Sequence, residues 1–269
     1  MQSQAARFLF AVTLAIPVAP VLGFSALAGA DTITTGALTA QAAGSGINDD
    51  GNLIPVSSGY YAAAFDSTTG GTVGGINFTG FVGKNGTGSG GMVTLVDFGH
   101  DYTGYFTTAV TTGDSALDAV LKGGDYADTT TVGQITINNL SAGQAYETQF
   151  FVVDNRSSQI GRSVQIANNS TFSNVGSGSY TSPVVNYAVG GSPGVGSYID
   201  WTFTAAGTSQ TFYDELTNVN SSSTQFGSPQ GTQINALIIS PTPEPASMAL
   251  IALGAAASML FLRHRRILH

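Results

Sequence analysis

The sequence predicts an all-β protein, an antiparallel β-sandwich with one short helix, on two observations. Short runs of alternating apolar and polar residues recur along the chain and are separated by turn residues, which is the pattern of packed antiparallel sheets. Only 9% of the 269 residues are charged and 35 are glycine, a composition that suits strands joined by long polar turns. We divide the chain into residues 1–30, a body of residues 31–240, and a C-terminal segment of residues 241–269.

The strands of the body follow from its alternating runs. Residues 31–58 lack sustained periodicity and predict a loose lead-in strand and loop. After them, strands are expected at residues 72–81, 92–98, 134–138, 146–153, 164–166, 198–203 and 233–239. The run 146–153 is the strongest, and because its second half is apolar on both faces it should be buried on both sides. In the run 198–203, Ile199, Trp201 and Phe203 are expected to point inward.

One helix is predicted at residues 114–121. Leu117, Val120 and Leu121 share one face of this segment at helical spacing. Asp114 can cap its first turn, and the two glycines at 123 and 124 can end it. We expect this helix to cover one end of the sandwich.

The N-terminal residues 1–30 predict a cleaved signal peptide. Arg7 precedes an apolar run over residues 8–22, as in the charged and apolar regions of export signals. Ala28 and Ala30 flank a glycine in the small-x-small pattern that signal peptidase reads, so cleavage is expected before Asp31. A transmembrane helix is the alternative, which the two prolines and the short apolar core disfavour.

The C-terminal segment predicts a membrane anchor. A proline-rich stretch leads into residues 246–262, which carry no charge, and Arg263, Arg265 and Arg266 follow them. As a helix these residues would span roughly 26 Å at about 1.5 Å per residue, the lower limit of a bilayer crossing. The arginines should stay on the cytoplasmic side, because moving them through hydrocarbon is costly. We therefore expect a stop-transfer helix at 246–262, with the body outside the inner membrane.

The order of Pro243-Glu244-Pro245, apolar helix and arginine cluster resembles the PEP-CTERM sorting signal of Gram-negative bacteria. The resemblance implies recognition by an exosortase, a membrane cysteine protease that cleaves near the motif. The body would then be released, or transferred to the cell surface or the exopolysaccharide matrix. Expected partners are signal peptidase, exosortase, the inner membrane before cleavage, and an extracellular polysaccharide. The prolines favour an extended segment with few hydrogen-bond donors, which a protease can reach.

Residues 117–162 carry a second resemblance. A Leu-x-x-Gly-x-x-Tyr turn at 140–146 leads into a strand that ends in Asp154-Asn155-Arg156. This arrangement is similar to a recurring extracellular sandwich of PEP-CTERM and related surface proteins. The resemblance implies a jelly-roll, galactose-binding-like body, and many members of that fold bind sugars.

The charge balance and the absence of cysteine exclude several classes of function. The body has fifteen acidic and four basic side chains, so it lacks the clustered cations that a nucleic-acid partner requires. An anionic polysaccharide would be repelled unless divalent cations bridged it to the body. The chain has 0 cysteines, which excludes disulfides, thiolate-bound metals and thiol catalysis.

Candidate ligand-binding residues are aromatic or charged. Four tyrosines in two sequence pairs could stack on sugar rings, with core packing as the alternative: Tyr60, Tyr61, Tyr102 and Tyr105. Asp154 and Arg156, with Arg162 nearby, could clamp a sugar or a carboxylate through the planar guanidinium. The alternative at this place is an ion pair between Asp154 and Arg162 that satisfies polar groups at a strand end.

A structural calcium ion is a further hypothesis, and no organic cofactor is expected. Asp49, Asp50 and Asn52 surround a turn glycine and offer the oxygen ligands that calcium prefers. The spacing is not that of an EF-hand, and solvated turn acids are the alternative.

Catalysis is not expected. His100 is the one histidine between the two terminal segments, and no Gly-x-Ser-x-Gly elbow accompanies it. Glu147 and Glu215 are the glutamates of the body, and the sequence places no second carboxylate opposite either of them. We therefore expect a surface or matrix protein that acts by structure or carbohydrate binding. The alternative is a secreted polysaccharide-active enzyme, a glycosidase or lyase.

Overall fold

A computed structural model describes residues 31–38, 53–67, 69–81, 91–101, 112, 114–127, 132–154, 161–174, 178–188, 195–218 and 231–243. Within these ranges the chain forms strands and one short helix, so the predicted all-β class is confirmed. The strands are β1 (Thr32–Ala37), β2 (Tyr61–Phe65), β3 (Gly71–Val73), β4 (Ile76–Phe81), β5 (Val93–Val96), β6 (His100–Asp101), β7 (Asp125–Tyr126), β8 (Val132–Asn138), β9 (Ala145–Val152), β10 (Ser163–Ala167), β11 (Val185–Asn186), β12 (Ser197–Thr204), β13 (Ser209–Asn218), β14 (Gln233–Ile234) and β15 (Ala236–Pro241). The helix α1 is Ser115–Leu121.

Two large sheets face each other. The seven-stranded sheet has the order β1-β12-β9-β15-β2-β4-β3, and the five-stranded sheet has the order β11-β10-β13-β8-β5. A small third sheet has the order β14-β7-β6. Strands β2 and β4 pair in parallel, so the seven-stranded sheet is mixed. The sequence predicts a wholly antiparallel sheet, and this part of the prediction is wrong.

The main core fills the space between the two large sheets. Phe150 and Trp201 project from the seven-stranded sheet and Phe212 from the five-stranded sheet. The ring of Phe212 meets each of the other two edge to face at a centroid distance of 5.1 Å. Ile199, Trp201 and Phe203 point inward as predicted, because alternate residues of a strand share a face.

A second apolar cluster covers part of the outer face of the seven-stranded sheet. Phe151 and Val153 contribute to it from the β9 end, so that end is buried on both faces, as its sequence predicts. Leu117, Val120 and Leu121 of α1 pack here, and the Asp114 carboxylate accepts from the Ala116 N–H at 2.7 Å at the helix start. The predicted helix is confirmed, but it lies on this outer face rather than at one end of the sandwich.

Several strands differ from the prediction. The run 72–81 is two strands, because Gly74 and Gly75 have φ of 54° and 81° and make a tight turn between β3 and β4. Residues 32–37 form the expected lead-in strand, but this strand is paired along its length with β12 at the edge of the seven-stranded sheet and is not loose. Strands β2, β6, β7, β11 and β13 were not predicted. The run 233–239, predicted as one strand, is divided between β14 and β15, which belong to different sheets. The galactose-binding-like topology stays a prediction.

In the part of the chain that the structure describes, no helix has the length and apolar character to cross a bilayer. The anchor predicted at residues 246–262 and the signal peptide predicted at residues 1–30 both lie outside the described ranges.

Candidate functional site

The outer face of the seven-stranded sheet changes from apolar to polar along its central strands. Three rows of side chains cross β12, β9 and β15, and each row lies two residues from the next. The rows are Tyr198–Phe151–Ala236, Asp200–Gln149–Ile238 and Thr202–Glu147–Ser240. The first row belongs to the apolar cluster around α1. We call the polar residues of the other two rows, with Thr34 on β1, the polar face: Thr34, Glu147, Gln149, Asp200, Thr202 and Ser240.

The polar face brings two carboxylates together. Asp200 of β12 pairs with Gln149 of β9, and Glu147 lies on β9 two residues before Gln149. Such diagonal neighbours on antiparallel strands are about 7–8 Å apart. Glu147 has a hydroxyl side chain on each side, Thr202 on β12 and Ser240 on β15. Gln149 and Ser240 are buried, so the groups left partly open to solvent are the two carboxylates and the hydroxyls of Thr34 and Thr202. These groups suit hydrogen bonding to a polyhydroxylated ligand.

The environment raises the pKa of both carboxyl groups. Burial raises the pKa of Asp200 to about 6, and the negative charge of Glu147 raises it further. Hydrogen bonds from Gln149 and from the Thr34 hydroxyl, the latter at 3.4 Å, oppose this shift. Burial also raises the pKa of Glu147. Asp200 can consequently change its charge near neutral pH.

The segment of residues 53–60 forms one wall of the polar face. The N–H of Ser57 donates to the Ser240 hydroxyl at 2.9 Å, and the N–H of Ile54 donates to the Gln149 side-chain oxygen at 3.3 Å. Tyr60 is half-buried at the end of this wall, and its hydroxyl accepts from the Asn77 N–H at 3.0 Å. These bonds hold the wall against the sheet.

Tyr198 forms the opposite border beside β1. Gly36 pairs with Tyr198, and a Cβ atom on Gly36 would lie 2.4 Å from the Tyr198 hydroxyl. The tyrosine ring therefore lies directly over the glycine, and a larger residue at position 36 would displace it. This half-buried ring stands on the same side of the sheet as Asp200, two residues away.

The predicted pair of Tyr60, just before β2, and Tyr61, the first residue of β2, does not form one platform. Tyr60 packs against the outer cluster, whereas Tyr61 packs against the main core, because successive strand residues point to opposite faces. Burial raises the pKa of the Tyr61 hydroxyl. Tyr60 is thus the member of this pair that borders the polar face.

Asp154 and Arg162 form a buried ion pair rather than an open clamp. The Arg162 Nη1 donates to the Asp154 carboxylate at 3.2 Å, and both side chains are buried. Arg162 also donates to the Gly231 carbonyl at 2.5 Å and stacks over the Tyr187 ring, 4.8 Å from its centroid. The ion pair, our alternative interpretation of this motif, is the arrangement observed. Asp154 has 0% exposure and presents no surface to a ligand here.

Asp214 lies in the interior next to this ion pair. Its side chain has 0% exposure, and burial raises its pKa to about 8 although Thr232 and the charge of Arg162 oppose the shift. Burial raises the pKa of Tyr187 as well, and the charge of Asp214 adds to this effect. We call Asp154, Arg162, Tyr187, Asp214 and Thr232 the buried polar cluster. It ties residues 231–233 to the two sheets.

The other predicted residues lie outside the described ranges. They are Ala28, Ala30, Asp49, Asp50, Asn52, Tyr102, Tyr105, Arg156, Glu244, Pro245, Arg263, Arg265 and Arg266. Within the described ranges, no group of three or more metal-ligating side chains lies together. The calcium hypothesis at residues 49–52 therefore stays a prediction. Pro243, the first residue of the sorting motif, is described and exposed.

Sequence reasoning missed Asp200 as a partner for Glu147. The alternation of residues 198–203 does place Asp200 on the face opposite Trp201. The pairing of β12 with β9 is what brings Asp200 next to Glu147, and no local pattern encodes that register.

Comparison with known proteins concerns mainly the C-terminus. Residues 241–266 match the PEP-CTERM protein-sorting motif. This match indicates exosortase-dependent export with anchoring at the C-terminus. The C-terminal segment predicts the same route. No curated protein matches the chain.

One solved structure is similar to part of the chain, chitosan-binding module 1 of a chitosanase/glucanase from Paenibacillus sp. IK-5. It shares 13% identity and a TM-score of 0.18, over 50% of this chain and 96% of the module. A similarity at this score carries no argument about fold or function.

Proposed function

We propose that this protein is exported, held in the inner membrane by its C-terminal segment, and then processed by an exosortase for display on the cell surface or in the extracellular matrix. The match of residues 241–266 to the sorting motif supports this proposal. The predicted signal peptide supports it independently from the other end of the chain. A body without cysteine needs no oxidative step after export.

We further propose that the mature body binds carbohydrate at the polar face without catalysis. The observation that carries this proposal is the register that sets Glu147 and Asp200 diagonally on one partly open sheet surface. Carboxylates accept strong, charge-assisted hydrogen bonds from sugar hydroxyls. The half-buried rings of Tyr60 and Tyr198 border the face and offer apolar edges for a sugar ring.

The charge of the polar face narrows the ligand class. Its two ionisable side chains are both acids, Glu147 and Asp200. An anionic polymer would be repelled by these groups, whereas a neutral or amino-sugar polymer would not. We therefore propose a neutral or cationic glycan as the ligand.

A glycan array with the secreted body tests the binding proposal. Glu147→Gln should weaken binding at least about tenfold, because a charge-assisted hydrogen bond is worth about 1.5–3 kcal/mol. Glu215→Gln is the matched control, since Glu215 lies on β13 of the other sheet and accepts from Gln165 at 2.6 Å. Binding that survives Glu147→Gln unchanged would refute a role for the polar face.

A glycosidase is the second candidate function, and the same two carboxyl groups favour it. Retaining and inverting glycosidases use carboxyl pairs about 5–9.5 Å apart, one of them with a raised pKa. Asp200, with a pKa of about 6, would be the acid and Glu147 the base or nucleophile. Release of reducing ends from a glycan, abolished by both Asp200→Asn and Glu147→Gln, would establish this activity in place of simple binding.

A further inference from the structure

The end of the sandwich at which the chain leaves β15 has no charged side chain in its described connections. We call this end the exit end and define it by these described residues: 57–60, 74–75, 139–144, 168–174, 178–182, 205–208 and 242–243. Every one of them is neutral. Asp66, Asp97 and Asp154, which follow β2, β5 and β9, lie at the opposite end of these strands. The two ends of the body therefore differ in charge.

Hydrogen bonds join the turns of the exit end into one surface. The N–H of Leu140 donates to the Thr208 carbonyl at 3.0 Å, and the N–H of Gly143 donates to the Ala205 carbonyl at 2.8 Å. These bonds set the β8–β9 turn against the β12–β13 turn, and both turns cross from one large sheet to the other. Small or uncharged side chains are exposed on the two turns: Asn139, Ser141, Ala142, Ala206 and Thr208.

The chain leaves the exit end from a fixed point. The N–H of Thr242 donates to the Ala145 carbonyl at 2.9 Å, and Nε2 of Gln144 donates to the Thr242 carbonyl at 2.7 Å. Both backbone groups of Thr242 are therefore held by the body. Pro243, the next residue, is exposed.

The connection from the exit end to the predicted membrane helix is short. Two residues separate Pro243 from residue 246, where that helix is expected to begin. Fully extended, this connection reaches at most about 11 Å. The headgroup region of a bilayer is about 5–7 Å thick on each side of the hydrocarbon core. An inserted helix therefore keeps the exit end within a few ångströms of the lipid headgroups.

Two acidic side chains lie in the neighbourhood of the exit end, and neither projects from it. The Asp31 carboxylate accepts from Trp201 Nε1 at 2.9 Å and from the Asn168 amide at 3.3 Å, and Trp201 belongs to the main core. Glu147 lies on the polar face, two residues and about 7 Å along β9 from Ala145. The exit end can consequently approach a bilayer without bringing an acid against it.

We propose that in the anchored protein the exit end rests on the lipid headgroups of the membrane that holds the C-terminal segment. The inference rests on the proposed anchoring and adds the surface of the body that meets the bilayer. Anionic headgroups repel an acidic body, so its uncharged end is the one that comes closest. The strands then stand upright on the membrane, and the Glu147 row of the polar face lies directly above the headgroups.

Single fluorescent labels on β13 test this orientation. The chain has 0 cysteines, so one introduced cysteine gives one label. Ser209→Cys and Thr217→Cys are matched, because both positions are exposed on the same strand and lie about 26 Å apart along it. Full-length protein without its signal peptide is reconstituted at low density in phosphatidylethanolamine vesicles that contain phosphatidylglycerol and a headgroup-nitroxide lipid. We expect several-fold stronger quenching of the label at position 209 than at position 217.

Flotation of the vesicles separates failure of the inference from failure of the anchoring. Equal quenching at the two positions, or no quenching at position 209, in protein that floats with the vesicles would overturn the inference and leave the anchoring intact. A position 209 label that is shielded only at high protein density would assign the exit end to a second copy of the chain and would also overturn the inference. Protein that does not float would overturn the proposed anchoring itself.

A charge placed on the exit end tests the physical reason. A Ser141→Glu Ala206→Glu double variant should lower the quenching at position 209 several-fold, and added salt should restore it because salt screens the repulsion. Val96→Glu is the control, since Val96 is exposed on β5 next to Asp97. Unchanged quenching in the double variant, or an equal loss in the control, would contradict the inference.

Discussion

Arg162 donates to the Asp154 carboxylate inside the sandwich, where neither side chain is more than 3% exposed. The same guanidinium stacks on Tyr187, and its charge partly opposes the rise that burial causes in the pKa of Asp214. Arg162 therefore compensates the one buried carboxylate that it pairs with, Asp154, whereas the raised pKa of Asp214 keeps that side chain largely protonated at neutral pH.

Replacing Arg162 should be strongly destabilising. Arg162→Met keeps much of the side-chain volume but leaves the buried Asp154 carboxylate without its cation. We expect a loss of about 3–5 kcal/mol in the free energy of unfolding, measured by urea denaturation. The exposed Lys122 provides the control, because Lys122→Met should change stability by no more than about 0.5 kcal/mol. Equal effects of the two substitutions would contradict the role given to Arg162.

Asp214 should make the body less stable as the pH rises. The pKa is about 8 in the fold against an ordinary value of 3.8, so the unfolded chain loses this proton at a lower pH than the folded chain does. Stability from this group is therefore highest below pH 4 and falls as the pH rises towards 8. Asp214→Asn should remove this dependence and increase stability at pH 8 by at least about 1 kcal/mol. Urea denaturation at pH 5 and pH 8 measures the free energy of unfolding of both proteins. Glu215→Gln, on the same strand, is the control. No gain at pH 8 would show that Asp214 is not protonated in the fold.

Asn235 should be essential for fixing α1 to the sheet. Its side-chain amide donates to the carbonyls of Leu121 and Gly123 at 3.0 and 2.8 Å, and its oxygen accepts from the Val153 N–H at 2.8 Å. Asn235→Ala leaves these buried backbone groups unsatisfied and should cost about 2–4 kcal/mol. We expect the melting temperature to fall by about 5–10 °C. The exposed Asn77 is the control, and an equal fall for Asn77→Ala would contradict the prediction.

Glycan binding should strengthen between pH 5 and pH 7. Asp200 has a pKa of about 6, and its ionised form accepts stronger hydrogen bonds from sugar hydroxyls than its protonated form. Wild-type affinity for a neutral glycan should rise several-fold over this range. The Asp200→Asn protein should show a flat profile by isothermal titration calorimetry. A rise that persists in that variant would assign the titration to another group.

The strands and the helix that sequence reasoning identified are those whose patterns are local. The alternation of residues 198–203 and the capped spacing of residues 114–121 each specify one element without reference to the rest of the chain. Strand β2 was missed because its alanine run does not alternate. In β13 the inward-pointing Asp214 interrupts the apolar pattern. A sequence pattern does not predict a buried acid, because its burial depends on a neighbour distant in sequence, Arg162.

The candidate site was harder to predict than the fold class. Glu147 was identified as one of the glutamates of the body, but its neighbours Asp200 and Ser240 come from strands β12 and β15, distant in sequence. Strand register of this kind depends on the burial of both faces and not on local propensity. The sorting motif, in contrast, is contiguous in sequence and needs no fold to be recognised.

Nuclear magnetic resonance titration of the secreted, ¹⁵N-labelled body with a neutral or amino-sugar oligosaccharide shows whether the polar face binds carbohydrate. We expect amide shift changes centred on Thr34, Glu147 and Asp200, and we expect them to be lost in a Glu147→Gln Asp200→Asn double variant that keeps its fold. Changes centred instead on the five-stranded sheet, or equal changes in the double variant, would contradict this expectation.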